Sequence, residues 1–468
     1  MSSGKCCNSS PQINRSQVDS QLPPKKEQST DNVLPPAPLS FVDQKMFKAY
    51  GVTLTNSEGS TRTDIIWERS SVLTSKLYQL PGGTVGKTFI FILAKEIDLL
   101  ASSVQKSEKS SMFGRLMLQK DPKVKKTADI RRTVLRRLKL WEEEKFEELI
   151  QEAENCERKL GKSVGKNMTD DNAHLIFSRL ILQGKLREAT RFVTQRGEKT
   201  GILLPEDDDG KGNKVLNVLE SKHPPQADPN PEAFINCEQL PSFLDIDVTS
   251  AHVHGIAKKL SGAAGISGLD SMQWQSMLLK FGNASEQLRE AVSKLTRRLA
   301  NTIVPWEDIR ALKAKRLIAL DKCPGVRPIG IGNVLDRLCA KIMIDITGDD
   351  VEQECQADQL ASGIKSGIEG SIHAFSDLFE EYAIQGWGLL LVDAANAFNA
   401  ISRPVALWTA RIKWVRCSRF LFNSYRGFAL LLITGSKNWL LSQEGVTQGD
   451  PLAMLLYALA VLPLIRLL

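Results

Sequence analysis

The sequence predicts a mixed α/β (α+β) fold in its C-terminal half, preceded by a mostly helical region and a disordered N-terminal tail. From about residue 247 onward, short apolar segments of strand length alternate with amphipathic helical patterns. Over residues 134–150 and 174–195, apolar side chains recur near the helical period. The first 44 residues are rich in Ser, Gln and Pro and poor in aromatic residues, so they bury too little apolar surface to offset the cost of ordering.

The 468 residues are 42% hydrophobic and 25% charged, which is typical of a globular chain with several domains. Eight cysteines without a Cys-x-x-Cys pair predict reduced thiols and neither a disulfide framework nor a zinc site. We therefore expect an intracellular protein, in the nucleus or the cytoplasm. The apolar run from Leu452 to Ile465 is shorter than the roughly 18 residues of a membrane span. It predicts a buried core helix and no membrane partner.

The N-terminal half divides into three predicted regions. Residues 1–44 form the disordered tail, residues 45–205 a mostly helical region, and residues 206–245 a linker with consecutive acids and several prolines. Within the helical region, residues 106–139 carry twelve Lys or Arg against three acids. This basic segment is typical of a solvated helix face, of a surface that contacts nucleic-acid phosphates, or of a nuclear-import signal around residues 122–126. The sequence leaves these alternatives open.

The last region, residues 246–468, contains a basic hairpin. Residues 317–320 and 326–331 predict two short strands joined by a Pro-Gly turn, between helices predicted at 284–299 and 337–345. Eleven Lys or Arg against four acids lie between Lys294 and Lys341. A hairpin and two helices with this excess of positive charge suit a polyphosphate or a nucleic-acid backbone.

A fully apolar strand predicted at residues 388–392 ends at Asp393. We expect this strand inside a sheet and the carboxylate at its rim, where burial is costly unless the group is hydrogen-bonded or holds a metal ion. Ser402 and Pro404 predict the start of a helix over residues 403–415, with the hydroxyl as its cap.

A second hairpin, residues 428–434 and 438–443, leads to the segment Glu-Gly-Val-Thr-Gln-Gly-Asp-Pro-Leu at 444–452. The glycines allow the main chain to approach a ligand closely, and Gln448 offers both a donor and an acceptor. Pro451 predicts the start of the following apolar helix, and we expect Asp450 to cap that helix rather than to bind metal.

The order of these motifs resembles the fingers and palm of retroelement reverse transcriptases, closest to those of non-LTR retrotransposons. The resemblance rests on Arg327-Pro328-Ile329, on Val-Asp-Ala-Ala-Asn-Ala-Phe-Asn at 392–399 and on Glu-Gly-Val-Thr-Gln-Gly-Asp-Pro-Leu-Ala at 444–453. It covers the chain from about Gly262 to the last residue. It implies a right-hand polymerase fold with complete fingers and an incomplete palm, and RNA-directed DNA synthesis by two-metal nucleotidyl transfer.

The resemblance also implies a role for each matching residue. Asp393, with the main-chain carbonyl of Val392 or Ala394, is implied as the catalytic carboxylate that holds Mg²⁺ (or Mn²⁺). The ring of Phe398 is implied to exclude a ribose 2′-hydroxyl and so to select deoxynucleoside triphosphates. The other residues implied at the incoming nucleotide are Arg316, Arg327, Gln448 and Gly449. The residues implied to contact the RNA template and DNA primer are Gly265, Gly268, Lys313, Lys315, Lys322, Arg337 and Lys341.

One motif of the family does not occur in the 468 residues, namely the Tyr-x-Asp-Asp turn that supplies the remaining metal carboxylates. One carboxylate does not hold two divalent ions against their hydration, so we expect this chain to be a fragment that does not polymerise DNA. The alternative is a non-catalytic nucleic-acid-binding or interaction protein derived from a retroelement.

Overall fold

Helices form most of the regular structure, and one small mixed sheet lies in the C-terminal half. The structure is a computed structural model that describes residues 49–50, 62–74, 76–161, 170–184, 186, 189–190, 192, 201–360, 362 and 364–467. The tail predicted at residues 1–44 lies outside the described residues, as does the end of the helix predicted at 174–195. At this level the predicted α+β class is confirmed.

Six described helices precede the sheet along the chain. They are α1 (Arg62–Ser71), α2 (Thr84–Ala101), α3 (Ser107–Leu118), α4 (Thr127–Glu142), α5 (Phe146–Gly161) and α6 (Asp170–Leu182). Leu93 and Ile97 of α2 lie one turn apart on the same face, and both are buried. Trp141 packs edge-on against Phe113 and Phe146, with ring centroids 4.9 Å apart in both pairs. Apolar faces at helical spacing therefore build this part of the core.

Eleven further helices belong to the described C-terminal part. They are α7 (Val215–Lys222), α8 (Ser250–Lys258), α9 (Ser271–Leu279), α10 (Asn283–Asn301), α11 (Trp306–Lys313), α12 (Val334–Cys355), α13 (Gly367–Tyr382), α14 (Ala397–Ala400), α15 (Arg403–Lys413), α16 (Val415–Tyr425) and α17 (Ala453–Ile465). Single 3₁₀ turns occur at Pro231–Ala233, Gln356–Asp358 and Ala383–Gln385. The helices predicted at 284–299, 337–345 and 403–415 correspond to α10, α12 and α15.

Helix α17 is the core helix predicted from the apolar run near the end of the sequence. Leu456 and Leu459 are fully buried, and the helix is 13 residues long. Among the described helices, none combines the length and the hydrophobicity needed to cross a membrane.

The described sheet has five strands, β1 (Ile202–Leu203), β2 (Lys315–Asp321), β3 (Val326–Gly332), β4 (Ala429–Ile433) and β5 (Trp439–Ser442). Strand β3 pairs antiparallel with β2 over its whole length. The other edge of β2 is shared by β1, which is antiparallel, and by β4, which is parallel. Strand β5 pairs antiparallel with β4. Both predicted hairpins are confirmed, and the parallel pairing joins them into one sheet.

Ion pairs connect the N-terminal helices to the helices that precede the sheet. The guanidinium of Arg310 on α11 lies 3.1 Å from a carboxylate oxygen of Asp64 and 3.0 Å from one of Glu108. Lys294 on α10 lies 2.8 Å from Asp98 on α2. The described residues between 49 and 467 consequently form one compact unit.

The segment predicted as a linker, residues 206–245, is folded against the rest of the chain. The carbonyl of Asp209 accepts a hydrogen bond of 2.7 Å from the amide of Gly325, at the turn between β2 and β3. The carbonyl of Ile235 accepts one of 2.9 Å from the indole of Trp408. Val215 of α7 is fully buried under the sheet. The linker prediction is wrong because the apolar side chains between the acids and prolines are buried.

The apolar segment at residues 388–392 is not a strand of this sheet. Leu390 and Leu391 are 85% and 82% exposed, and the segment has no strand partner among the described residues. Phe375 and Leu378 on the preceding helix α13 are also exposed. The prediction of a buried strand is therefore wrong for this structure, since an apolar run is buried only where a neighbouring element covers it.

Candidate functional site

Strand alternation gives the β2–β3 hairpin two different faces. Lys315 and Leu317 point to the interior, whereas Arg316 lies on the opposite, partly exposed face. Leu320 pairs with Arg327 across the hairpin, so Arg327 shares the face of Arg316. Four residues along β2 separate the two positions, which corresponds to about 13 Å. The two arginine positions thus lie on one face of the hairpin, with Arg316 partly buried and Arg327 exposed, a spacing that suits an extended anion.

Two lysines predicted to contact nucleic acid are buried in ion pairs. The amine of Lys313 lies 2.6 Å from Oδ1 of Asp336 and 2.9 Å from Oγ of Ser424, and the amine of Lys315 lies 2.6 Å from Oδ2 of Asp450. Burial raises the pKa of Asp450, but the charges of Lys315 and Lys313 and the hydrogen bonds from Lys315 and Leu452 together outweigh it. The pKa of this carboxyl therefore lies below its usual value. The two lysines are only 2% and 4% exposed. The prediction of phosphate contact is wrong for both, because neither amine reaches solvent.

The glycine loop, residues 262–268, packs against the end of β3. At Gly265 an added Cβ would lie 2.6 Å from the carbonyl oxygen of Gly332. At Gly268, where φ is +80°, it would lie 2.7 Å from the guanidinium of Arg115 on α3. The amide of Ser267 donates a hydrogen bond of 3.0 Å to the side chain of Asn333. The loop is therefore held in one conformation by its neighbours.

Arg316 and Arg337 both bind the main chain of the glycine loop. Arg316 donates a hydrogen bond of 2.9 Å to the carbonyl of Ala264, and Arg337 donates to the carbonyl of Ala263. No ion pair of either arginine with a carboxylate is present in the described part of the chain. Nε of Arg337 is buried and makes no hydrogen bond. Each guanidinium is thus positioned by carbonyl groups that leave its charge unneutralised.

The guanidinium groups of Arg115, Arg316 and Arg337 all contact the glycine loop, and their charges affect one another. Burial lowers the pKa of all three, to about 10 for Arg115, and the charge of Arg316 lowers the pKa of the other two. Glu157 opposes the shift at Arg115, and Asp336 opposes it at Arg337. Positive charges that repel one another at this distance favour the binding of an anion.

The loop at residues 444–450 contacts the hairpin at Gly330. The amide of Gly330 donates a hydrogen bond of 2.8 Å to the carbonyl of Gln448. A Cβ at Gly330 would overlap the methyl group of Thr447. Gly449 has φ of +106°, and a Cβ there would lie 2.8 Å from the carbonyl oxygen of Gly330. Close approach of the two main chains explains both glycines and places Gln448 and Gly449 beside the hairpin.

Glu444 and Arg403 hold this loop, and neither was predicted as a site residue. Glu444 accepts hydrogen bonds from the amides of Arg403, at 2.6 Å, and Ala227, at 3.0 Å. The Arg403 guanidinium donates to Ser442, and burial lowers its pKa to about 10. The cap predicted at Ser402 is wrong, because the hydroxyl makes no capping bond and Glu444 caps α15 instead. In the sequence, Glu444 and Arg403 are single charged residues next to apolar segments, and this is the signal that could have identified them.

Phe398 lies against the same loop. Its carbonyl accepts a hydrogen bond of 2.6 Å from the amide of Val446. Its ring stacks on that of Tyr457 on α17, with centroids 5.0 Å apart and planes inclined by 24°. Asp450 accepts a hydrogen bond from the amide of Leu452, but it does not form the predicted cap, since α17 begins at Ala453 without a side-chain capping bond. The structure therefore brings Phe398, Gln448 and Gly449 into one neighbourhood.

Asp393 lies in an exposed segment and not at the rim of the sheet. Val392 is 78% exposed, and Asp393 and Ala394 are exposed as well. Burial and the negative charge of Asp393 raise the pKa of Tyr457, whose ring stacks on Phe398. Among the described residues, no three His, Cys, Asp or Glu side chains are grouped as a metal site requires.

The remaining predicted residues lie on the hairpin and the following helix. Lys322 is exposed at the turn, where its amide donates a hydrogen bond of 2.9 Å to the carbonyl of Gly325. Arg327 is exposed, and Lys341 is half-buried on α12. Lys322 and Arg327 thus belong to the hairpin, whereas Lys341 belongs to the following helix.

A retrotransposon protein is similar to part of this chain. No family model matches the chain. It is 30% identical over 171 residues to the retrotransposable element SLACS 132 kDa protein of Trypanosoma brucei gambiense. The matched residues make up 36% of this chain and 14% of that protein, so the chain spans only a small part of the relative's length. The similarity supports a retroelement origin.

Proposed function

We propose that residues 262–468 are the fingers and part of the palm of a retrotransposon reverse transcriptase, an RNA-directed DNA polymerase. The observation that carries the proposal is the Gly330–Gln448 hydrogen bond of 2.8 Å. It joins the basic hairpin to the loop at residues 444–450, which we call the Gln-Gly loop. The stacked ring of Phe398 lies against the same loop. The similarity to a retrotransposable element protein supports the same origin.

The proposed nucleotide site uses the open face of the hairpin. Arg316 and Arg327 bind the triphosphate through charge-assisted hydrogen bonds, which are stronger than those between neutral groups. Gln448 and Gly449 contact the nucleotide and the template base. The ring of Phe398 blocks the space that a ribose 2′-hydroxyl would fill, so the proposed substrates are deoxynucleoside triphosphates.

The proposed template and primer contacts come from the glycine loop and the arginines around it. Gly265 and Gly268 shape the loop, and Arg337 supplies a charge that forms no ion pair within the described residues, although Asp336 lies near it. Lys322 adds positive charge at the turn of the hairpin, and Lys341 adds it on α12. An RNA template paired with a DNA primer is the partner we propose for this surface.

Asp393, with the carbonyl of Val392 or Ala394, is the group we propose as a ligand of Mg²⁺ or Mn²⁺. In a polymerase, such an ion activates the primer hydroxyl and stabilises the phosphoryl group in transfer. The described residues do not complete a two-metal site, since they contain no group of three suitable side chains and Asp450 is neutralised by Lys315. We therefore assign no catalytic step to this chain alone.

Nucleotide binding tests the proposal directly. Arg327 suits substitution, because its side chain is exposed and makes no hydrogen bond or ion pair in the described structure. In the full chain, Arg327→Gln is expected to weaken binding of a fluorescent deoxynucleoside triphosphate about tenfold, the effect of losing one charged hydrogen bond. Lys437→Gln, at the exposed turn between β4 and β5, is the matched control. Equal affinities of the two variants would refute the nucleotide site.

The second candidate function is a non-catalytic nucleic-acid-binding protein of retroelement origin. The observation in its favour is the lack of a metal-ligand group among the described residues. Primer extension on an RNA template with Mg²⁺ separates the two functions. Addition of even one deoxynucleotide supports the polymerase, whereas tight hybrid binding without extension and without nucleotide affinity supports the second candidate.

A further inference from the structure

Apart from the half-buried Lys106, the structure separates the twelve Lys and Arg side chains of the basic segment, residues 106–139, into two groups. Five of its Lys or Arg side chains are buried or ion-paired, namely Arg115, Arg137, Lys109, Arg132 and Arg136. Six are exposed and form no ion pair within the described residues, namely Lys120, Lys123, Lys125, Lys126, Arg131 and Lys139. We call these six the basic surface. Their charge is not used to stabilise the fold.

Helix α4 presents part of the basic surface on its solvent side. Val134, Leu138 and Trp141 bury one face of this helix, while Arg131 and Lys139 are exposed. Eight residues separate Arg131 from Lys139, which is about 12 Å along the axis. A nucleic-acid duplex presents about seven phosphates over this length. The spacing therefore suits a polyanion with regularly repeated charges.

The loop at residues 120–126 carries the other four lysines and is fixed in place. The hydroxyl of Tyr78 donates to the carbonyls of Asp121, at 2.9 Å, and Val124, at 3.0 Å. The carboxylate of Asp121 accepts a hydrogen bond of 2.9 Å from the amide of Lys123. A receptor that binds a basic peptide in extended form needs main-chain groups that are free to pair. Because this loop is folded, its lysines act as a surface rather than as a peptide signal.

We propose that the basic surface binds the phosphodiester backbone of a nucleic-acid strand, at a site separate from the hairpin and the Gln-Gly loop. No aromatic residue occurs between residues 120 and 139, so base stacking does not contribute. Lysines contact phosphates as point charges, and binding of this kind is independent of base sequence. The proposal does not require polymerase activity.

The position of helix α3 supports a path from the glycine loop to the basic surface. Arg115, near the end of this helix, contacts Gly268, and Lys120 lies five residues further along the chain. A strand bound near Arg316 and Arg337 therefore has a further positive surface within reach. The basic surface would extend the nucleic-acid footprint beyond the hairpin.

The test compares two variants of the full chain that lose the same charge. The first variant replaces the loop lysines by glutamine, at Lys120, Lys123, Lys125 and Lys126. The control replaces four exposed lysines without ion pairs in the described structure, at Lys87, Lys95, Lys258 and Lys280. Fluorescence anisotropy measures binding of a single-stranded RNA, the same sequence as DNA, and a duplex, at 50 and 200 mM salt.

Loss of four phosphate contacts lowers the slope of log affinity against log salt by about 2.8 for a single strand. Between the two salt concentrations, wild type should therefore lose about 50-fold more affinity than the loop variant, and the control should behave as wild type. The RNA and DNA arms show which backbone the surface prefers. Arg131→Gln with Lys139→Gln is a second variant on α4, and it should lower the slope by about half as much.

Equal salt slopes for wild type and the loop variant would overturn the proposal. It would also be overturned if the control lowered the slope as much as the loop variant, because the effect would then be one of total charge. Loss of nuclear accumulation with unchanged nucleic-acid affinity would identify the loop as an import signal instead. Thermal melting of each variant confirms that the compared proteins are folded.

Discussion

The amide nitrogen of Gly330 donates a hydrogen bond of 2.8 Å to the carbonyl oxygen of Gln448, across 118 residues of sequence. This bond fixes the Gln-Gly loop against β3. It is a direct main-chain connection between the two sequence motifs on which the proposed function rests. Its geometry depends on the absence of a side chain at Gly330.

Gly330→Ala should therefore displace the loop. The added Cβ overlaps the methyl group of Thr447, so we expect a loss of about 1–3 kcal/mol in the free energy of unfolding, the usual cost of overpacking. Gly82→Ala is the control, because nothing lies within 4 Å of a Cβ at that position. Urea denaturation measures both. A Gly330→Ala protein as stable as the control would contradict the described contact.

The Lys315–Asp450 pair predicts a stability effect rather than a binding effect. Lys315→Met leaves the carboxylate of Asp450 buried without its partner, and we expect a cost of about 3–5 kcal/mol in the free energy of unfolding. The double variant Lys315→Met with Asp450→Leu should recover most of this loss, because both charges are then removed. Denaturation of the single and double variants gives the coupling between the residues. If Lys315→Met had wild-type stability but bound RNA more weakly, the result would support the sequence-based prediction that Lys315 contacts nucleic-acid phosphates.

The buried carboxyl of Glu108 predicts a pH dependence of stability. Burial raises its pKa to about 6, although Arg310 opposes the shift. The folded state thus binds the proton more tightly than the unfolded chain, whose carboxyl has a pKa of 4.5. The stabilising effect of protonation is complete below pH 4.5 and is lost as pH rises to about 6, a change of about 2 kcal/mol.

Glu108→Gln removes this titration and tests the assignment. Between pH 4.5 and pH 7, wild type should lose about 2 kcal/mol of unfolding free energy that the variant does not lose. Urea denaturation at the two pH values gives the difference. Parallel pH profiles for the two proteins would show that folding does not raise the pKa of Glu108.

Phe398→Ala separates packing from sugar selection. Loss of the stack on Tyr457 should cost about 1 kcal/mol or more in stability. If the ring also selects the sugar, the ratio of deoxynucleotide affinity to ribonucleotide affinity, measured by competition binding, should fall toward one in this variant. Tyr457→Leu removes the same stack from the other side and should leave that preference unchanged. Equal discrimination in wild type and Phe398→Ala would leave the ring with a packing role alone.

The helices and hairpins could be predicted from the sequence because their signals are local. Lys315 shows where such reasoning fails. The count of positive charges suggested that it lies on a nucleic-acid surface. Lys315 shares one face of β2 with the buried residues Leu317 and Ala319, and this alternation is visible in the sequence. The partner that neutralises it, Asp450, is 135 residues away, and no local pattern reveals such a pairing.

The linker and the strand at 388–392 were mistaken for related reasons. In residues 206–245 the prolines and acids suggested a free connection, while Val215 and Phe234 were the signal for burial. In residues 388–392 the apolar run suggested burial, but burial depends on a covering element that sequence pattern does not supply. Asp393 consequently lies outside the sheet, although its charge acts on Tyr457.

The parallel pairing of β2 with β4 has a consequence for synthesis on the ribosome. Lys315 of β2 lies opposite Leu431 of β4, so 116 residues must be made after the first strand before the second can join it. At roughly 5–20 residues per second, the Lys315–Leu317 part of the β2 edge waits on the order of 6–23 s without its partner strand. A chain with such distant contacts folds slowly, and the nascent hairpin is the stage at which we expect a chaperone to act.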